Sequence, residues 1–464
     1  MTTATKAFDR SIVEGSISKA VWKLAWPTVL TNVIGGLQGV VDHAMVGHFV
    51  GFTGNAAIGV SWQIFLVVMV FISSLFTGMG VLVSRFAGAG DREKADRAVY
   101  QAFLTSTALS VGVLAPIGYL TAPALLNLVN ATAAVRAEAL PFLRLMFVFS
   151  FGMMTFFMLG GALRAAGDAK TPLRLGAALT VMNVVFNVIL IRGLGPIPAF
   201  GTAGAAMGTS LAGGILSIFA VSKLVKGGWV IGFPRGRYRP EWATIRELFR
   251  FGLPAGLQGV AMNIGGVLLL RFIGSLEQSA EAQAAYAIAY TELFSLITWT
   301  SVGLMGATAA IVGQNIGAGH PERANEGVYV AAKIGLTMAA ALGFLFLAVP
   351  RVLLDVFGMN DPAVVHIAIE LMRFLSISAF FITVALTFTG GLQGSGDTRS
   401  PFYISLISQL VVPLGFCTLL QVTDRLTPAG IWTAILLGHI TRCTLSVVRF
   451  RQGKWRGIKA DIAG

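Results

Sequence analysis

Of the 21 acidic residues in this chain, two sit where a charge is expensive. Asp42, in LQGVVDHAMVG, and Glu292, in YAIAYTELFSLITW, lie well inside long apolar runs; nearly all the other acids fall between runs or at their ends. A carboxylate surrounded by lipid-soluble residues is costly, and it marks an ion or substrate path. Asp42 has candidate partners. MNVVFN puts Asn183 and Asn187 four residues apart, on one helix face. Gln38 lies one turn before Asp42 on its own face, and Thr209 follows in MGTSLA. At 1.5 Å per residue, Asp42 stands roughly 28 Å above Lys23, and the two amides roughly 18 and 24 Å above Thr171. Thr209 lies roughly 12 Å below the outer surface. One carboxylate, two amides and a hydroxyl therefore share a band of depth. Their oxygens could ligate Na⁺, with Asp42 as the charged ligand, or Asp42 could take up a proton. The plainer role for Asn and Thr is hydrogen bonding between helices.

Glu292 has Tyr286, Tyr290 and Trp299 close in sequence. A buried carboxylate beside aromatic rings suits a cationic, apolar guest, through charge pairing and cation–π contact. A protonated or hydrogen-bonded structural glutamate is the plainer alternative. Arg144 and Arg373 are expected to snorkel outward or to pair with Glu138 and Glu370.

The elements that must hold these residues are membrane helices. The chain is 55% hydrophobic and only 12% charged, with a mean hydropathy of +0.77. A soluble chain carries about 25% charged residues. Twelve apolar spans are predicted, near 20–46, 55–86, 96–121, 139–163, 172–192, 201–225, 247–273, 282–313, 327–349, 364–392, 401–420 and 428–450. The polar opening, MTTATKAFDRSIVEGSISKA, predicts no cleavable signal sequence. Cys417 and Cys443 lack metal-ligand or redox spacing and read as inert core residues.

Charge tests the topology. An even number of spans puts both termini on one side; with that side cytoplasmic, 27 of the 34 Lys and Arg residues face the cytoplasm. These include seven in the 6–7 linker (Lys223, Lys226, Arg235, Arg237, Arg239, Arg246, Arg250) and six near the C-terminus (Arg442, Arg449, Arg451, Lys454, Arg456, Lys459). That bias fits the positive-inside rule. It also explains a net charge of +13 through contact with anionic headgroups rather than nucleic acid.

The chain repeats itself. LRAAGD and LQGSGD end at Asp168 and Asp397, 229 residues apart; GAGD and GAGH (Asp91, His320) and Arg144 with Arg373 share that offset, and Pro27 with Pro254 nearly does. Two parallel six-span repeats follow, with domains 1–225 and 247–464 joined by a cytoplasmic linker, 226–246. In each repeat the glycine of AAGD or GSGD is expected to end a helix in the left-handed conformation. The Asp caps the next helix, with Pro172 or Pro401 in its first turn.

With these landmarks the chain resembles the multidrug and toxic compound extrusion (MATE) transporters over essentially its whole length. The carriers are LAWPTVLTNVIGGLQGVVDHAMVGH with Pro27 and Asp42, the GAGD and GAGH turns, LRAAGD and LQGSGD, and MNVVFN followed by GTAGAAMGTSLA. The resemblance implies an all-α integral membrane protein of twelve transmembrane helices in two pseudo-symmetric six-helix lobes (the MATE/MOP fold), arranged as a V. It implies a secondary antiporter exporting drugs, toxins or metabolites, cationic or amphipathic, in exchange for H⁺ or Na⁺ by alternating access, with no other cofactor. Asp42, Asn183, Asn187 and Thr209 take the positions of the family's N-lobe cation site. Two departures stand out: the second span 5 position, often Asp in relatives, is Asn187, and the apolar stretch of span 7, PAGLQGVAMNIGGVLLL, has no acid where many relatives carry a Glu. The pattern looks closest to the DinF-like branch. A monomer in the cell inner membrane, meeting lipid and a small-molecule substrate but no nucleic acid, is expected. A lipid-linked oligosaccharide flippase of the same superfamily is the alternative. A major facilitator fits the turns poorly, and no DxxxD, HExxH or G-x-S-x-G pattern supports an enzyme.

Overall fold

The computed structural model describes residues 6–129, 131–234, 238–359 and 361–460. Twelve long helical segments carry the chain. They are α1 (Ile17–Phe49), α2 (Phe52–Ala89), α3 (Arg92–Leu128), α4 (Ala133–Val148 and Ser150–Ala165), α5 (Lys170–Arg192) and α6 (Gly201–Lys226), then α7 (Trp242–Gly274), α8 (Ser279–Gly317), α9 (Pro321–Ala348), α10 (Pro362–Gly394), α11 (Arg399–Val422) and α12 (Pro428–Arg451). Ten are single helices long and apolar enough to cross a bilayer. α4 does so as a pair bent by 55° at Phe149. α2 runs for 38 residues with Arg85 as its only charged side chain. A helix or helix pair stands at each of the twelve expected positions. Leu120, Ile218, Val267, Phe344 and Val411 turn outward, as side chains do when the surrounding solvent is hydrocarbon.

The turns follow the sequence. Gly167 and Gly396 have φ of 96° and 91°, where a Cβ would be strained. Asp168 accepts hydrogen bonds from the Thr171 amide (3.0 Å) and hydroxyl (2.6 Å), and Asp397 from the Ser400 amide (3.2 Å) and hydroxyl (2.8 Å). Both carboxylates thus satisfy amide donors that the start of a helix leaves free. The repeats differ in one respect: Asp397 also pairs with Arg449 at 2.8 Å.

Three segments widen into π turns: Ser110–Leu114 in α3, Ala287–Leu293 in α8 and Ile407–Val411 in α11. Such turns expose backbone carbonyls and often accompany function; the one in α8 contains Tyr290 and Glu292.

The chain forms two compact units. The first holds Met1–Arg10, Ile34–Gly256 and Ala460–Gly464; the second holds Ser11–Val33 and Leu257–Lys459. The division falls inside α1 and α7, a few residues after Pro27 and Pro254, so each of these helices serves both units. The first unit packs Phe65, Leu126, Met146, Phe147 and Met154 at its core, and the second Phe294, Phe346, Leu375 and Trp432. The 6–7 linker belongs to the first unit and lies along the start of α3. Arg97 pairs with Glu241 at 2.9 Å, Gln101 donates to the Arg239 carbonyl, and Asp96 accepts from the Gly232 amide. Arg235 and Arg237 lie outside the described residues.

Two expectations are corrected. Arg144 does not pair with Glu138 among the described residues: its guanidinium stacks 4.4 Å over the Tyr119 ring of α3 and its Nε donates to the Tyr119 carbonyl. Nor does Arg442 reach the headgroups with the C-terminal basic cluster. It lies fourteen residues into α12, more than two turns before the helix end, and is 1% exposed.

Candidate functional site

Three helices of the first unit bring the four forecast polar residues together. α1 contributes Asp42, α5 contributes Asn183 and Asn187, and α6 contributes Thr209. Their spacing accounts for the meeting: Asn183 and Asn187 are one turn apart and project from the same stripe of α5. Both amides are fully buried, and Asp42 and Thr209 are 6% and 8% exposed.

The hydrogen bonds form one chain. Asn187 Nδ2 donates to Asp42 Oδ1 at 2.8 Å and to Asn183 Oδ1 at 3.1 Å. Asn183 Nδ2 in turn donates to Thr209 Oγ1 at 2.9 Å. Both protons of the Asn187 amide are therefore committed, while its Oδ1 is buried without a partner. That oxygen lies beside α6 at Gly208, where a Cβ would overlap it. Gln38 takes a place at the edge: its Oε1 accepts from Thr180 Oγ1 at 3.0 Å, one turn before Asn183 on α5.

Sequence reasoning missed three participants. Thr180 completes the stripe of α5 at spacing 180, 183, 187, a signal that was there to be read. Gly208 adjoins Thr209, and its role shows only once α5 packs against α6. His43, next to Asp42, shares a 2.5 Å hydrogen bond between its Nδ1 and Asn55 Oδ1, tying α1 to α2.

The aromatic residues near Glu292 arrange themselves differently from their order in sequence. Tyr286 and Tyr290 stack at 4.8 Å; Tyr290 continues to Phe294 at 5.4 Å, and Tyr286 meets Trp432 at 6.2 Å. Tyr290 and Glu292, two residues apart, project from nearly opposite sides of the helix. Trp299 is seven residues beyond Glu292, on its side, and joins no ring stack among the described residues. Glu292 is half-buried, with no ion pair among the described residues. Among those residues no three His, Cys, Asp or Glu side chains cluster as a metal centre.

Comparison with known proteins agrees with this architecture. The MatE family model matches residues 27–189 and 254–419, one block in each repeat. A probable multidrug resistance protein NorM of Thermotoga maritima is 26% identical over 448 residues, covering 95% of this chain and 93% of its own. The NorM homologue of Deinococcus radiodurans is 28% identical, covering 93% and 94%, and the multidrug resistance protein MdtK of Pectobacterium atrosepticum 25% identical, covering 92% and 94%. Among solved structures, an outward-facing multidrug resistance MATE family transporter of the MOP superfamily superposes with a TM-score of 0.89 over 98% of this chain and all of the other, at 21% identity. A MOP superfamily transporter from Pyrococcus furiosus gives 0.88 over the same shares, at 22% identity. The doubled family match, falling on the same repeats that hold the capped turns and the Asp42 chain, shows that this protein belongs to the MatE family, and is a multi-pass membrane transporter of the MATE fold rather than an enzyme.

Proposed function

We propose that the protein exports drugs or other toxic amphipathic compounds in exchange for protons by alternating access, and that Asp42 carries the coupled proton. Export is supported by the multidrug resistance relatives named above, which cover nearly the whole chain. The observation that carries the choice of proton is the orientation of Asn187. Its N–H groups, not its oxygen, face Asp42 and Asn183. A Na⁺ ion at Asp42 would need oxygens there. Turning the Asn187 amide to supply one would break both hydrogen bonds and bring nitrogen against Gly208. A proton needs no such rearrangement. Asp42 Oδ1 accepts from Asn187 in either protonation state, and Oδ2 is left to gain or lose the proton.

Glu292, half-buried and without an ion pair among the described residues, would meet the positive charge of a guest, with Trp299 on its side of α8. Tyr290 belongs to the aromatic stack on the other side. In this reading the protein is a monomer of the cell inner membrane, and the distribution of its Lys and Arg supports cytoplasmic termini.

Efflux of a fluorescent cationic dye such as ethidium from cells tests the reading. Wild type lowers dye accumulation several-fold, and Asp42→Asn at equal membrane abundance returns it to the level of cells without the transporter. Efflux undiminished in Asp42→Asn overturns the assignment.

A further inference from the structure

The second unit buries a positive charge that the coupling chemistry does not use. Arg442 is 1% exposed inside α12, and none of its donors has a hydrogen bond or ion pair among the described residues; its Nε and Nη1 are fully enclosed and unpartnered. Glu292, two residues along α8 from Tyr290, forms no pair with it. A lone guanidinium at this depth is costly unless something compensates it.

The surroundings are polar and equally unsatisfied. His439 and Ser446 stand three residues before and four after Arg442, on the same face of α12. His439 Nδ1 and Ser446 Oγ are buried without partners. α11 lies antiparallel against this face. Asp397 meets Arg449 at one end, and a Cβ on Gly438 would stand 2.6 Å from the Ser408 carbonyl further along. The same register sets Ser405 opposite Thr441, level with Arg442. Ser405 and Ser408 are fully buried, and each hydroxyl lacks a partner. From α8, Phe294 stacks on His439 at 5.7 Å, and Tyr290 stacks on Phe294 at 5.4 Å. Three packed helices thus bring one buried cation and several buried, unpartnered hydroxyl and imidazole groups to adjoining levels of one unit, with no carboxylate paired to the cation among the described residues.

We infer that α8, α11 and α12 enclose a monoanion site, in which Arg442 supplies the charge and Ser405, Ser408, His439 and Ser446 supply hydrogen bonds. Its ligand is a small inorganic anion such as chloride or the carboxylate of an organic guest. Water could bond to these groups but would leave the charge uncompensated; a monoanion does both. The site lies in the opposite unit from Asp42 and does not depend on how transport is coupled.

The purified transporter, exchanged into sodium sulfate, whose dianion does not match a single guanidinium, is titrated with chloride in one arm and acetate in the other at constant ionic strength, and melting is followed. Binding to the folded state raises the melting temperature saturably. A rise in wild type of a few degrees, lost in Arg442→Gln and weakened in the Ser405→Ala/Ser408→Ala double variant, supports the site. A response to chloride alone assigns an inorganic ion, and a response to acetate alone or to both admits a carboxylate. Should Arg442→Gln fail to fold, the serine pair and the wild-type titrations decide. Identical melting of wild type in all three anions overturns the proposal, as does a rise that persists undiminished in the variants. Asp42→Asn keeps the anion response, so the two proposals fail separately.

Discussion

At the scale of single residues, the Asp42 chain is held by exclusion as much as by attraction. Asn187 can aim both N–H groups at oxygens only because Gly208 leaves room for its carbonyl; a methyl there would overlap Oδ1 and stand 3.2 Å from the Asn187 backbone nitrogen. Gly208→Ala should therefore push Asn187 off Asp42, costing about 1–3 kcal/mol of stability as overpacking does, and reduce dye efflux by roughly tenfold or more. Gly214→Ala, also in α6 but facing open space, should leave both melting temperature and efflux unchanged. Equal behaviour of the two variants would show that the fit at Gly208 does not matter. Asp42, both amides and Thr209 were legible in the sequence because polar side chains are rare in apolar spans and the i, i+4 spacing fixes a face. Thr180 was not singled out, because a Thr in a membrane helix more often bonds its own backbone, as Thr28 and Thr105 do here. Arg442 was misplaced for a different reason: a basic residue in the last third of a final span looks like a positive-inside flank until the packing of α11 closes over it.

At the scale of elements, the two inner turns are a matched pair with a built-in difference. Both Asp168 and Asp397 cap the next helix, so Asp168→Ala should cost about 1 kcal/mol. Asp397→Ala also strips Arg449 of its partner, and charged hydrogen bonds are worth about 1.5–3 kcal/mol; its total loss should be about twice that of Asp168→Ala or more. Thermal unfolding of the two variants in detergent reads the difference. Equal losses would mean that the Arg449 contact contributes nothing. The caps were legible from Gly-Asp followed by Pro, a local signal. The π turns were not: a 3.6-residue pattern cannot reveal where one extra residue is accommodated, as it is between Ala287 and Leu293 in α8. The bend at Phe149 escaped notice as well, since no proline marks it.

At the scale of the whole molecule, the 229-residue offset of Asp168 and Asp397 and the doubled family match describe one duplication seen twice. The repeat was readable because its landmarks are turn residues under strong local constraint. That α1 and α7 each divide between the two compact units was not, because hydropathy reports where a span lies and not which neighbours its two ends choose. The duplication left the units unequal in chemistry: the first buries a carboxylate among amides, and the second buries a guanidinium among hydroxyls. Coupling through the first should then follow protons and ignore Na⁺.

Reconstitution into proteoliposomes with an imposed gradient tests this most directly. Dye transport should be driven by a pH gradient without Na⁺, should not respond to a Na⁺ gradient at uniform pH, and should vanish in Asp42→Asn. Transport driven by Na⁺ at uniform pH, or a pH-driven signal that survives Asp42→Asn, would contradict a proton carried on that carboxyl group.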